Sequence, residues 1–201
     1  MTLFSQASST CRIDGPAGVL QAVLDVPAEV TASTPLTVIC HPHPPDGGSM
    51  TNKVVATLAK ACVECHVIAL RFNFRGVGDS QGTYNGGAGE LADCLAVIDW
   101  ARQQRPEAPL LLAGFSFGAW VALKAAEQKK PVAMISIAPP VGFRDFSQVL
   151  APACPWLAVQ GDSDEIVDPQ TVVQWLERKS PKPQIIVMAE TSHFFHGKLL
   201  P

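Results

Sequence analysis

The sequence predicts a doubly wound α/β fold, a mostly parallel sheet with helices on both faces. Three observations carry this. Apolar runs of strand length alternate with segments of helical length along most of the chain. Several of those strands are apolar at every position, as strands covered on both faces must be. Gly- and Pro-rich loops punctuate the strand ends, and none is long enough to link separate domains. Residues 1–201 therefore read as one domain, long enough to bury a full core.

The elements follow in order. GVLQAVLDV (18–26) and LTVICH (36–41) read as strands, the second rich in β-branched residues. The opening strands precede any helix, which suits an antiparallel edge, with more than one pairing open to residues 1–27. TNKVVATLAKAC (51–62) reads as a helix capped by Thr51 or Asn52. HVIALRFNF (66–74) is a strand with His66 at its start. GELADCLAVIDWARQQ (89–104) is an amphipathic helix with Leu91, Leu95, Ile98 and Trp100 on one broad face. PLLLAGF (109–115) is a short apolar strand. GAWVALKAAEQKK (118–130) is a helix with lysines gathered at its C-terminal end. PVAMISIAP (131–139) and PWLAVQGD (155–162) are strands, DPQTVVQWLERK (168–179) is a helix begun by Pro169 and capped by Asp168, and PQIIVMA (183–189) is the last strand.

Composition narrows the function. Hydrophobic residues make up 47% and charged residues 16%, which is globular and not disordered. The net charge is −3 and no basic tract is present, so nucleic acid is not an expected partner. The N-terminus shows neither the basic start nor the apolar run of a signal peptide, and no apolar stretch approaches the roughly 18 residues of a membrane helix. The expectation is a cytoplasmic protein. Its six cysteines are then reduced and mostly buried. CVECH (62–66) formally matches a haem attachment pattern. Its plainer reading is a helix end at Cys62 followed by a strand start at Cys65 and His66. No cofactor and no metal are expected; His41 and His43 have no evident third ligand.

In open α/β sheets, sites form beyond the carboxyl ends of the strands. At one such end Gly114-Phe115-Ser116-Phe117-Gly118 fits G-x-S-x-G between a strand and a helix. Glycines at both flanks suit a turn so tight that side chains there would collide with strand or helix. The serine hydroxyl is then lifted to a helix N-terminus, where developing negative charge is favoured. The plainer reading is a serine N-cap. A serine nucleophile needs a base and an orienting acid, and the motif sets the chain order as Ser, Asp or Glu, then His. After one later strand comes Gly161-Asp162-Ser163-Asp164-Glu165, and after the last comes Glu190-Thr191-Ser192-His193.

GFSFG, GDSDEIV, HPHPPDGGSM and SHFFHGKL together resemble the α/β-hydrolase superfamily, and in particular its small lid-less serine hydrolases related to dienelactone hydrolases. The resemblance covers essentially the whole chain. It implies an α/β-hydrolase fold without a cap domain, with Ser116 as nucleophile, His193 as base and Asp164 as acid. Asp162 is the rival acid; Glu165 and Asp168 read as loop charge and helix cap. His196, one helical turn on, reads as a packed structural histidine. Relatives usually continue through a full final helix after this histidine, whereas here Pro201 ends the sequence. Two N–H donors are needed for the oxyanion. Phe117 supplies one. The other falls to the main chain of His43, because prolines at 42, 44 and 45 have no N–H.

RFNFRGVGDSQG lacks the third glycine of a dinucleotide fingerprint and reads as structural, with Arg75 pairing with Asp79 or a buried carbonyl. Residues 139–154 hold room for one short helix and no lid. That implies an open site for small or short-chain acyl groups, with Phe115, Phe117, Phe143 and Phe146 as candidate walls. The expected activity is carboxylic ester hydrolysis through an acyl-enzyme. A thioesterase, lactonase or small peptidase would use the same residues, and a non-catalytic binding protein on this fold is the alternative of another class.

Overall fold

The computed structural model describes Phe4 and residues 7–199. Among these residues, eight strands form one sheet and four α-helices fall between them. In chain order these are β1 (Ser8–Gly15), β2 (Gly18–Asp25), β3 (Leu36–Cys40), α1 (Lys53–Glu64), β4 (Ile68–Phe72), α2 (Ala88–Gln104), β5 (Leu110–Phe115), α3 (Phe117–Lys129), β6 (Ala133–Ile137), β7 (Trp156–Gly161), α4 (Pro169–Glu177) and β8 (Gln184–Met188). The spatial order is β1-β2-β4-β3-β5-β6-β7-β8. β1 and β2 form an antiparallel hairpin and β2 runs antiparallel to β4; every later pairing is parallel. The doubly wound, mostly parallel sheet expected from the sequence is therefore present, with its antiparallel edge at the N-terminal side.

Burial explains the order. β3 is buried at all of its positions and β5 at all but Leu111, so both occupy the middle of the sheet. β8 is largely exposed and lies at an edge. One apolar cluster joins the sheet to α2, α3 and α4, and includes Val97, Val121 and Leu176. The second joins it to α1 and the C-terminal segment through Val55, Ala59 and Phe195.

Several local expectations need correction. β1 was not resolved as a strand by periodicity, because its outward positions alternate with small polar residues and only Ile13 is buried. In α2 the inward stripe is Glu90, Asp93, Cys94, Val97, Ile98 and Ala101, while Leu91, Leu95 and Trp100 are half-buried. Two carboxylates face inward because each has buried partners. Glu90 accepts the N–H groups of Asn85 and Gly87, at 2.9 and 2.7 Å, and so caps the helix. Asp93 receives a forked contact from Arg75, at 3.0 and 2.7 Å, and accepts the Arg75 main-chain N–H as well. Arg75 thus pairs with Asp93, not Asp79. His66 does not begin a strand; it occupies the turn before β4 with a φ of 58°. Asn52 caps α1 by accepting from Val54 N–H, and Asp168 caps α4. Residues 139–155 form turns without a helix, and residues 191–199 also form turns, so His196 does not share a helical face with His193. No helix of the described residues is long and apolar enough to cross a membrane. All six cysteines are free thiols.

Candidate active site

β5 ends at Phe115 and α3 begins at Phe117, so Ser116 occupies the single residue between strand and helix. Its backbone has φ 51° and ψ −121°, a left-handed conformation unusual for serine. The flanking glycines are sterically required. A Cβ on Gly114 would lie 2.2 Å from the Gly118 carbonyl oxygen, and one on Gly118 would lie 2.2 Å from the Cys40 carbonyl oxygen. Both obstacles are backbone, which cannot swing away. The Ser116 hydroxyl caps no helix N–H. It lies 3.1 Å from Nε2 of His193 instead.

His193 is buried on the loop after β8. Its Nδ1–H donates to Asp164 Oδ2 at 2.8 Å, which leaves Nε2 unprotonated to accept from Ser116. The ring packs between Phe115 and Phe194, at centroid distances of 5.1 and 5.2 Å. Asp164, on the loop after β7, is saturated with donors. Oδ2 also accepts from Gln160 Nε2, and Oδ1 accepts from the main-chain N–H groups of Ile166 and Val167. Burial pushes its carboxyl upward, but hydrogen bonds from His193, Val167 and Ile166 outweigh that and hold it below the usual carboxylate range. Asp162 lies on the surface, tied to Ser163 Oγ and the Thr191 N–H, and does not approach the imidazole. His196 is exposed, not packed, and its Nδ1 is 3.5 Å from Ser192 Oγ. Phe195 instead turns inward and anchors this loop to the core.

A cavity of about 290 Å³ opens above Ser116, lined by His43, Asp46, Phe117, Pro140, Phe143, Arg144, Ile166 and Val167. The His43 and Phe117 rings pack edge-on against each other in its wall, with centroids 5.4 Å apart. Phe117 begins α3, so its N–H is among those a helix leaves free. No main-chain acceptor among the described residues takes the His43 N–H. Of the four expected aromatic walls, Phe117 and Phe143 line the cavity. Phe115 lies beneath the His193 ring, and Phe146 is buried against Trp175 at 4.8 Å.

The two histidines of the β3 loop differ. His41 is buried; its Nδ1–H donates to the Pro42 carbonyl at 2.7 Å and its Nε2 accepts the Phe74 N–H at 3.1 Å. Burial drives its pKa down to about 4, partly opposed by the Pro42 hydrogen bond. It is a neutral structural imidazole with both nitrogens committed. His43 bridges Asp46 and the Tyr84 hydroxyl, at 2.8 and 2.9 Å.

Comparison with known proteins bears on this arrangement. The profile of the X-Pro dipeptidyl-peptidase family, S15, matches residues 14–152. The chain belongs to this family. An uncharacterized protein of Rickettsia prowazekii (strain Madrid E) is 37% identical over 176 residues, covering 83% of this chain and 74% of that one. Among solved structures, XC6422 from Xanthomonas campestris, described as an α/β serine hydrolase without a lid, superposes with a TM-score of 0.93 at 49% identity, covering 99% of this chain and 91% of that one. An α/β serine hydrolase homologue from Coxiella burnetii gives 0.91 at 44% identity, covering 95% and 91%. This S15 member is accordingly a lid-less α/β serine hydrolase, as GFSFG and GDSDEIV implied for the superfamily and HPHPPDGGSM and SHFFHGKL for the lid-less group.

Sequence reasoning passed over three residues of this region, Gln160, Tyr84 and Arg144, and read a fourth, Glu165, as loop charge, whereas its carboxylate accepts the His193 main-chain N–H. Gln160 and Glu165 touch Asp164 and His193, while Tyr84 and Arg144 reach the cavity wall. Glu165 and Gln160 sat beside the strand end already singled out, so their position was a usable signal. Tyr84 and Arg144 lie deep in irregular loops, where neither periodicity nor spacing marks them.

Proposed function

We propose that this protein hydrolyses small or short-chain carboxylic esters through Ser116, His193 and Asp164. The observation that carries the reading is the continuous hydrogen-bonded series from Ser116 Oγ through the His193 ring to Asp164, beside a small cavity. Ser116 attacks the carbonyl carbon while His193 Nε2 takes its proton. The developing oxyanion is received by the N–H groups of Phe117 and His43. His193 then returns the proton to the leaving alcohol, and the acyl-enzyme is cleaved by a water that His193 deprotonates. Asp164 keeps the imidazole in the tautomer that presents Nε2 and stabilises its charged form. The reading needs no cofactor. The substrate is a small acyl compound, and the six free thiols favour a reducing compartment, the cytoplasm.

A cavity of about 290 Å³ lies at the low end for ligand sites, which favours short acyl chains. The S15 profile supports a second reading, cleavage of X-Pro peptide bonds. Turnover of 4-nitrophenyl acetate, butyrate and decanoate beside X-Pro 4-nitroanilides separates the two. The ester reading expects the short esters to be preferred. Faster cleavage of the anilides, or of the decanoate, contradicts it.

A further inference from the structure

Arg144 lies on the loop from β6 to β7 and lines the cavity that holds Ser116. Its guanidinium lies 4.9 Å from the Phe117 ring centroid and 5.8 Å from that of Trp120. Nη1 donates to the Gly86 carbonyl at 3.1 Å and Nη2 to the Tyr84 hydroxyl at 2.8 Å. A half-buried cation fixed on two rings and by two hydrogen bonds is preorganised, unlike a free surface arginine.

Among the described residues, none of the ion pairs includes this cation. The neighbouring acids are committed elsewhere. Asp46, on the same cavity, accepts from His43 Nδ1. Asp145 accepts from the N–H and Oγ of Ser147. Glu90 accepts from Asn85 and Gly87. A carbonyl and a phenol solvate the guanidinium without cancelling its charge, and among the described residues its remaining N–H groups have no acceptor. Phe143 and Ile166 place apolar surface on the same cavity. An incoming molecule therefore meets apolar walls, a nucleophile, the Asp46 carboxylate held by His43, and a fixed cation that belongs to no ion pair among the described residues.

We propose that Arg144 is a subsite for a carboxylate on the acyl group, making monoesters of short dicarboxylic acids the preferred substrates. The inference rests on the ester reading above. A guanidinium receives a carboxylate through paired N–H donors, and the small cavity confines the acid to a short chain. No lid is needed to recruit such a substrate, because the charge itself supplies the discrimination.

The test compares kcat/KM for 4-nitrophenyl hemisuccinate and hemiglutarate with that for the butyrate and valerate esters of similar length. Wild type is expected to favour at least one monoester by about tenfold, the scale of a hydrogen bond to a charged group. Added salt should reduce that ratio. In Arg144→Gln the ratio should fall toward one, whatever the absolute rates, and Arg144→Lys should keep part of it. A wild-type ratio at or below one, or a ratio unchanged in Arg144→Gln, overturns the proposal. Should Arg144→Gln fail to fold, the wild-type ratio and its salt dependence decide alone. If wild type cleaves neither kind of ester, the ester reading fails separately. Free glutarate then still probes the subsite: slowed fluorophosphonate labelling of Ser116 supports it, and unchanged labelling overturns it.

Discussion

The main-chain N–H of His193 donates to the Glu165 carboxylate at 3.0 Å, while its ring Nδ1–H donates to the adjacent Asp164 at 2.8 Å. Two neighbouring acids on the β7 loop thus hold one histidine at two points, backbone and ring. The roles differ in kind. In the proposed mechanism Asp164 fixes a tautomer and faces charge that develops during reaction, whereas Glu165 fixes only where the loop lies.

Substitutions at these acids should therefore separate. Asp164→Asn is expected to lower kcat by roughly a thousandfold or more, because an amide favours the wrong imidazole tautomer. Glu165→Gln retains an oxygen acceptor for the His193 N–H, so kcat should fall by less than about tenfold. Steady-state kinetics on a short ester checks both. Equal losses would place the two acids in one role.

Gly118 fixes how closely α3 approaches β3. Gly118→Ala would put a methyl group 2.2 Å from the Cys40 carbonyl oxygen and 2.5 Å from that of His41. The expected cost is about 3 kcal/mol or more, read as a lower urea midpoint, because neither obstacle is a movable side chain. A midpoint within error of wild type would contradict the steric reading.

The parallel core, and a candidate serine, acid and histidine at successive strand ends, were legible from local pattern: apolar strand runs, a G-x-S-x-G turn, and acids and a histidine after later strands. The choice of Asp164 over Asp162 rested on the family resemblance. α2 was legible only in part, for a physical reason. Ile98 is buried as expected and Leu91, Leu95 and Trp100 pack against the core, but the fully buried positions include Glu90 and Asp93, which a hydrophobic pattern passes over. Glu90 is compensated by the nearby N–H groups of Asn85 and Gly87, and Asp93 by Arg75, distant in sequence. The pairing of Arg75 with Asp93 was hidden likewise, since Asp79 is nearer along the chain but not in space. His196 was misplaced because residues 191–199 turn instead of forming a helix, and Phe195 takes the inward position.

The Arg75–Asp93 pair gives a direct check of that reading. The Asp93 side chain is fully buried and that of Arg75 is 9% exposed. Arg75→Met should cost roughly 3–5 kcal/mol, because it strands a buried carboxylate, and adding Asp93→Leu should recover more than half of the loss. Chemical denaturation of both variants measures this. Additive losses in the double variant would contradict it.

His41 predicts how stability changes with acid. Its folded pKa is lowered to about 4 from 6.5, so between those values the unfolded chain binds the proton more readily. Stability should fall as pH drops from 6.5 toward 4, by roughly 3 kcal/mol in all from this residue. His41→Asn should be less stable at pH 7, having lost the acceptor for Phe74 N–H, yet show a flatter dependence over this range. Urea melts at pH 7 and pH 4.5 read the slope, and an equally steep slope in the variant would assign the effect elsewhere.

The central claim is that Ser116 is an activated nucleophile. Intact-mass analysis and peptide mapping after fluorophosphonate treatment test it most directly, beside Ser116→Ala and His193→Ala. The account predicts a single adduct on Ser116, absent in the first variant and formed far more slowly in the second. A folded protein that gains no adduct, or gains it at another residue, would contradict it and favour a binding protein on the hydrolase fold.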